Sequence, residues 1–188
     1  ARSIAHTSDG GYIIVGETHA SEVENSDAYV IKLNEDMSVA WSGYYRGDET
    51  DQIDFSIIEQ DDGYILAGQE CMGIPGPYEN EVINCDGNSL ELIKIDSYGF
   101  ATWERQYSAD SYGSRRGTTL CDRNSHIFIL YTHQYAEGAY AIVESFDSNG
   151  DSIWNYNFPQ WGLYPEYISD DTVGKSIISV GPHLAITG

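Results

Sequence analysis

Between Phe158 and Asp170 the chain gathers four aromatic residues, Phe158, Trp161, Tyr164 and Tyr167, with Gln160, Glu166 and Asp170 among them. Aromatic faces beside carboxylates suit a sugar, whose C–H face stacks on the rings while the carboxylate oxygens accept its hydroxyls. The same set suits a protein partner, because Trp and Tyr dominate the energetic centres of interfaces. A third use is to fold back as a lid over the chain's own sheet. Trp161, Tyr164, Glu166, Tyr167 and Asp170 are therefore the candidate contact residues for a ligand or partner. Thirty Asp and Glu side chains make a carboxylate pair for glycoside hydrolysis easy to imagine, yet spacing singles out no particular pair.

Other chemistry is less well supplied. Asp147-Ser148-Asn149-Gly150-Asp151 has the opening of a calcium loop but lacks the later ligands and the bidentate glutamate, so it reads as a β-turn. His6, His19, His126, His133 and His183 show no spacing suited to a metal or a proton relay, and no Cys-x-x-Cys is present. No serine–histidine–aspartate set and no glycine-rich phosphate loop can be assigned. No cofactor is expected from these residues, and no catalytic residue is assigned.

Three cysteines allow at most one bridge within the chain. Cys71 and Cys85 flank a polar, proline- and glycine-containing insertion and sit where hairpin partners face each other. A disulfide there would stabilise by about 3 kcal/mol in the chain-entropy model and favours an oxidising compartment. Cys121 lies in the first strand of the third unit and is expected to be a small buried residue that stays a free thiol.

These residues are carried on a repeat. The first copy reads Ser3-Ile4, Asp9-Gly10-Gly11-Tyr12-Ile13-Ile14-Val15-Gly16, Asp27 to Asn34 and Trp41. The second reads Ser56-Ile57, Asp62-Gly63-Tyr64-Ile65-Leu66-Ala67-Gly68, Leu90 to Asp96 and Trp103. A third, more divergent copy carries Thr119-Leu120, Ile127 to Leu130, Ala139 to Val143 and Trp154, and a fourth begins at Ser176-Ile177. Trp41 and Trp103 are 62 residues apart, and Trp103 and Trp154 are 51 apart; the longer interval holds the insertion of the second copy. Each copy contains four short apolar or alternating runs separated by turn residues, with no helical period or capping signal.

A period near 50 residues with four antiparallel strands per unit predicts an all-β chain of β-propeller blades. Three blades are full (1–47, 48–109 and 110–160) and half of a fourth follows (161–188). Within the first unit the strands are expected at Arg2–Thr7, Tyr12–Glu17, Ala28–Leu33 and Val39–Tyr45. The second strands of the four units are expected near 12–17, 64–69, 127–132 and 184–188. Trp41, Trp103 and Trp154 share one repeat position, as do Lys32 and Lys94, and both sets read as packing residues. In a propeller, the loop between the second and third strands opens on the same face as the connection between blades. The 71–85 insertion and the segment after Trp154 should therefore decorate one face.

The pattern Ser-Ile, Asp-Gly-Gly-Tyr-Ile, Gly, Lys-Leu-Asn/Asp, Gly and Trp resembles the β-propeller repeats of large secreted and cell-surface proteins of bacteria and archaea. The resemblance is closest in the first two units; the third lacks the Gly-Gly-Tyr, and the fourth has Gly181-Pro182-His183-Leu184 at its turn. It implies an extracellular or cell-surface location and a non-catalytic scaffold or protein-interaction role in a larger assembly. Partners implied are other surface proteins, further copies or missing blades of the same protein, or glycans. The four-strand pattern is also similar to quinoprotein propellers, but no residue here matches their cofactor ligands.

With 30 acidic against 9 basic residues, the formal charge of −21 argues against nucleic acid, which needs a basic stripe. It argues equally against an anionic membrane surface, and no apolar run reaches the roughly 18 residues of a spanning helix. The fourth unit stops after two strands, so the parent polypeptide is expected to continue beyond Gly188 and to extend before Ala1.

Overall fold

The computed structural model of the chain describes residues 1–19, 26–45, 51–71, 89–107, 113–135, 138–158 and 176–187. These form fourteen strands, and no helix occurs among the described residues. The strands build four antiparallel sheets, each a meander of consecutive strands, and none closes on itself. The first sheet is β1 (Ser3–His6), β2 (Tyr12–His19), β3 (Ser26–Leu33) and β4 (Val39–Tyr45). The second is β5 (Asp51–Gln60), β6 (Gly63–Cys71), β7 (Ser89–Asp96) and β8 (Ala101–Tyr107). The third is β9 (Gly113–Arg123), β10 (His126–Tyr135), β11 (Gly138–Phe146) and β12 (Ser152–Phe158). A two-stranded fourth sheet pairs β13 (Ser176–Val180) with β14 (His183–Thr187).

The second strands start at Tyr12, Gly63, His126 and His183, the first as expected and the other three one residue earlier, and the first three run two or three residues further than expected. The first strands of the second and third sheets are longer than the repeat suggests, reaching back to Asp51 and Gly113. Bulges at Ile53/Ser56 and Leu130/Thr132 absorb the extra length, and a bulge hides the alternation that would have marked these residues as strand.

Alternation along each strand explains how the sheets stack. Tyr64 and Leu66 point to one face of β6, and Ile65 and Ala67 to the other, because successive side chains in a strand face opposite ways. The first face joins Ile93, Ile95, Phe55 and Ile57 in a core with Ile13, Val15, Ala28 and Val30 of the first sheet. The second face joins Leu90 and Leu92 in a core with Ile127, Ile129, Tyr131 and Phe146 of the third sheet. On the far side of the third sheet, Phe128, Leu130 and Val143 enclose Ile177 of the fourth. The unbroken apolar runs of β6 and β7 follow from burial on both faces. The first strands run against one another from sheet to sheet, β1 with β5, β5 with β9 and β9 with β13. By contrast the fourth strands are largely exposed.

Candidate functional site

The fourth strands are nevertheless where neighbouring sheets grip each other. On β4, the Trp41 indole Nε1–H donates to the Ser97 carbonyl at 3.0 Å, and the Tyr45 hydroxyl donates to the Gly99 carbonyl at 2.7 Å. Both acceptors belong to the turn between β7 and β8. That turn is set by Asp96, whose Oδ1 accepts the backbone N–H groups of Tyr98 and Phe100, both at 2.9 Å. Gly99 takes φ +89°, and a Cβ there would lie 2.8 Å from Trp41 Cε3, so only glycine lets the indole lie on the turn. The next junction repeats the arrangement. Tyr107 on β8 donates to the Gly150 carbonyl, and a Cβ at Gly150 (φ +83°) would lie 2.9 Å from Trp103 Cη2. Asp147 Oδ1 accepts Asn149 N–H at 2.8 Å and Asp151 N–H at 2.9 Å. The segment that faintly resembles a calcium loop is therefore a β-turn held by its own aspartate and capped by the preceding sheet. Burial pushes the Tyr45 and Tyr107 hydroxyls up to about 12, with the nearby Asp96 carboxylate adding to the effect at Tyr45.

At the third position the same strand geometry is present, with no turn against it among the described residues. Trp154 and Phe158 on β12 stand where Trp41/Tyr45 and Trp103/Tyr107 stand, with the same four-residue spacing. Trp154 is 43% exposed and touches only Phe128 of its own sheet among the ring contacts described, at 6.0 Å between centroids. Tyr156 and Phe158 beside it are also exposed and pack edge to face on each other at 4.9 Å. At the opposite end of the stack, the corresponding turn of the first sheet, Asn34 to Met37, has Met37 at φ +66° in place of glycine.

A second recurring device lies inside the sheets. Lys32, 3% exposed, reaches from β3 to the β1–β2 turn, where Nζ meets Asp9 Oδ2 at 2.7 Å and the Leu33 carbonyl at 2.8 Å. Asp9 also accepts the Thr7 hydroxyl at 2.6 Å and the Gly11 N–H at 3.0 Å. The Lys32 hydrogen bond first, then those of Thr7 and Gly11, hold the Asp9 carboxyl well below the usual carboxylate range. Lys94 repeats the arrangement with Asp62 and Gln60, and its hydrogen bond lowers Asp62 likewise. In the third sheet the equivalent residue is Ser145, fully buried, whose Oγ has no partner.

Two carboxylates are buried among the described residues, Glu91 and Glu144. Glu91 shares a face with Ile93 and Ile95, toward the first sheet, whereas Glu144 shares a face with Phe146 and Ile142, toward the second. The second sheet therefore stands between them, and they do not flank a common cleft as a glycosidase pair must. Glu144 accepts the Tyr131 hydroxyl at 2.9 Å and the Ser152 hydroxyl at 2.6 Å, a closed network that braces the sheet. Gln69 and Ser89 in the second sheet and Thr132 and His133 in the third are buried near the strand ends opposite the turns.

The residues singled out from the sequence fall unevenly on this frame. Trp161, Tyr164, Glu166, Tyr167, Asp170 and Cys85 lie outside the described residues. Cys71 ends β6 opposite Asp51, and its pairing with Cys85 also lies outside them. Cys121 carries a free, half-buried thiol, pushed up to about 11 by burial and then by Asp122. The sequence reading missed Tyr45 and Tyr107 and grouped Phe158 with the segment that follows it, although Trp followed four residues later by Tyr, Tyr and Phe was there to be read. It also missed Asp9 and Asp62 as lysine partners; the signal was an Asp-Gly turn in each unit that carries the lysine. No family model matches the chain, and no curated protein matches it either.

Proposed function

We propose that the four sheets are consecutive blades of a β-propeller, and that the chain is a non-catalytic scaffold or protein-interaction module of an extracellular surface assembly. The propeller reading is supported by the in-order meanders, the face-to-face stacking, and the contact of first strand with first strand while the fourth strands stay exposed. One observation carries the interaction role. Both terminal sheets present outward the faces that interior sheets bury.

Tyr12, Ile14, Ile31 and Leu33 in the first sheet occupy the places of Tyr64, Leu66, Ile93 and Ile95, which are almost wholly buried; the first-sheet residues are only partly so. On the fourth sheet, Ile178 is 54% and Val180 51% exposed. An apolar face of this kind marks an interaction surface. Sedimentation of the purified chain at rising concentration tests the reading. Association is expected, and Ile178→Glu, a change at an exposed position, is expected to weaken it. A chain that stays monomeric throughout, and whose sedimentation Ile178→Glu leaves unchanged, sinks the proposal; selective binding on a glycan array would then favour the carbohydrate-binding alternative.

A further inference from the structure

We infer that the turn end of the sheets, with Tyr98 and Phe100 as its anchors, binds a basic, arginine-bearing polypeptide segment. The inference rests on the interaction-module reading and adds to it a contact surface and the charge of the partner. The turns that join first strands to second and third strands to fourth all lie at that end, and all are described. The undescribed stretches border strand ends at the opposite end, between second and third strands and between one sheet and the next.

Tyr98 and Phe100 stand on the turn between β7 and β8, 76% and 71% exposed. The turn does not need them. Asn34 to Ser38 and Asp147 to Asp151 close in the same way, with backbone hydrogen bonds pairing the first residue with the fourth and the fifth. At the two places they carry Asp36 and Ser38, and Asn149 and Asp151. Only the second sheet puts rings there. Their base is fixed: Asp96 Oδ1 holds the N–H groups of both residues, and Trp41 and Tyr45 of the first sheet hold the Ser97 and Gly99 carbonyls. Anchors ordered in advance lose little freedom on binding.

Charge names the partner. The seven turns hold seven carboxylates and no lysine or arginine. Of the cations nearby, Lys32 and Lys94 are buried and taken by Asp9 and Asp62, which leaves Arg123 at the end of β9. At the first junction Glu59 accepts the Ser8 N–H and hydroxyl. At the second, Asp122 stands in the place of Glu59 and Asp61 in that of Ser8. Burial, and then Asp61, raise the Asp122 carboxyl, a like-charge contact that a cation would relieve. Among the described residues no three His, Cys, Asp or Glu side chains come together to hold a metal ion. Carboxylates spread over the turns of successive sheets suit an extended cationic chain. Arginine fits both features, because its guanidinium stacks on an aromatic face and pairs with carboxylates. A neutral sugar would stack on the rings and gain nothing from the charge.

The test is fluorescence anisotropy of a labelled peptide of alternating arginine and glycine, titrated with the full chain. Saturable binding is expected at about 50 mM salt, weakening by about tenfold at about 300 mM. A lysine–glycine peptide of the same charge is expected to bind about threefold more weakly, since an ammonium stacks less well on a ring. Tyr98→Asn/Phe100→Ser installs residues of the sibling turns and leaves the net charge alone. It is expected to lower affinity about tenfold with the thermal midpoint unchanged. Tyr98→Phe keeps the ring and is expected to stay within about twofold of the unchanged chain. A peptide that does not bind at the lower salt overturns the inference, and so does a loss of affinity in Tyr98→Phe. Equal binding to Tyr98→Asn/Phe100→Ser overturns it too, as charge acting without the rings. Ring-dependent binding of a neutral oligosaccharide in the peptide's place does the same. Sedimentation reads self-association through the Ile178 face, so a failure here is distinguishable from a failure of the interaction-module reading.

Discussion

Lys32, Lys94 and Ser145 stand at one place in their sheets, each opposite the tryptophan of the fourth strand. In the first two sheets the buried ammonium crosses to the aspartate of the first turn and ties three strands together. In the third sheet both halves of the pair are gone. The hydroxyl of Ser145 is buried without a partner, and the turn it would have met is Asn124-Ser125, both residues at positive φ. The fold is nonetheless the same: β9 to β12 keep the strand order and the two-faced apolar packing of the others. The comparison teaches that alternation and turn geometry specify the sheet, and that the ion pair is an addition whose value depends on its partner. A buried charge left alone is costly, whereas a sheet that never had one loses little.

The most forceful way to break that comparison is Asp9→Ala. It leaves the Lys32 ammonium buried with one carbonyl. It should destabilise by about 3 kcal/mol in urea unfolding, the low end for a broken buried pair because the Asp9 side is open to solvent. Lys32→Met should cost far less. Acid should act in the same direction as Asp9→Ala. The Asp9 and Asp62 carboxyls titrate below the ordinary aspartate range in the folded chain. Their contribution is therefore present above about pH 4 and is lost as pH falls below it. Lys32→Met/Lys94→Met should flatten that acid limb. If Asp9→Ala costs no more than a surface substitution, the pairs are ornaments.

Next in size is Gly99→Ala, expected to cost about 2 kcal/mol through backbone strain and displacement of Trp41. Met37→Gly, at the same turn position in a sheet with no tryptophan above it, should be neutral or stabilising by about 0.5 kcal/mol through relief of strain. Thermal unfolding of the two variants side by side sharpens the contrast between capped and uncapped turns. Equal effects of the two changes would remove it.

Smaller again is Tyr107→Phe, at about 1 kcal/mol for one hydrogen bond. The raised hydroxyls of Tyr45 and Tyr107 ionise near pH 12 in place of the ordinary 10. The stability they confer is therefore complete below pH 10 and lost as pH climbs toward 12. Phenolate absorbance should show this as a late-titrating class that shrinks in Tyr45→Phe/Tyr107→Phe and keeps Tyr64, which burial also pushes up to about 12. The smallest effect is expected at Ser145→Ala, within about 0.5 kcal/mol of neutral and on the stabilising side, since it removes a buried hydroxyl that has no partner.

The strand plan was legible because Asp-Gly and Asn-Gly turns punctuate apolar runs at fixed spacing, and turn chemistry acts over a few residues. Lys32 and Lys94 read correctly as structural, because a charge at a repeated position between apolar neighbours must be paired inside. What sequence could not give was the identity of partners across sheets. Trp41 meets Ser97, 56 residues away, through a contact that exists only once two sheets stack. Treating Trp41, Trp103 and Trp154 as one class hid a difference that no local pattern encodes, because what distinguishes Trp154 is the absence of a described turn against it. Gly99, Gly150 and Met37 did encode the other half of that difference.

The order in which contacts close has a consequence for synthesis. Within a sheet every strand pairs with its neighbours in sequence, yet the fourth-strand aromatics of the first two sheets must wait for a turn made later: Trp41 for Ser97, 56 residues on, and Tyr107 for Gly150, 43 residues on. As the chain leaves the ribosome, a finished sheet therefore keeps its forward face wet until the following sheet has been translated through its last turn. At roughly 5–20 residues per second, that interval lasts several seconds. During it the newest sheet has its forward face open, while the junctions between earlier sheets are already closed.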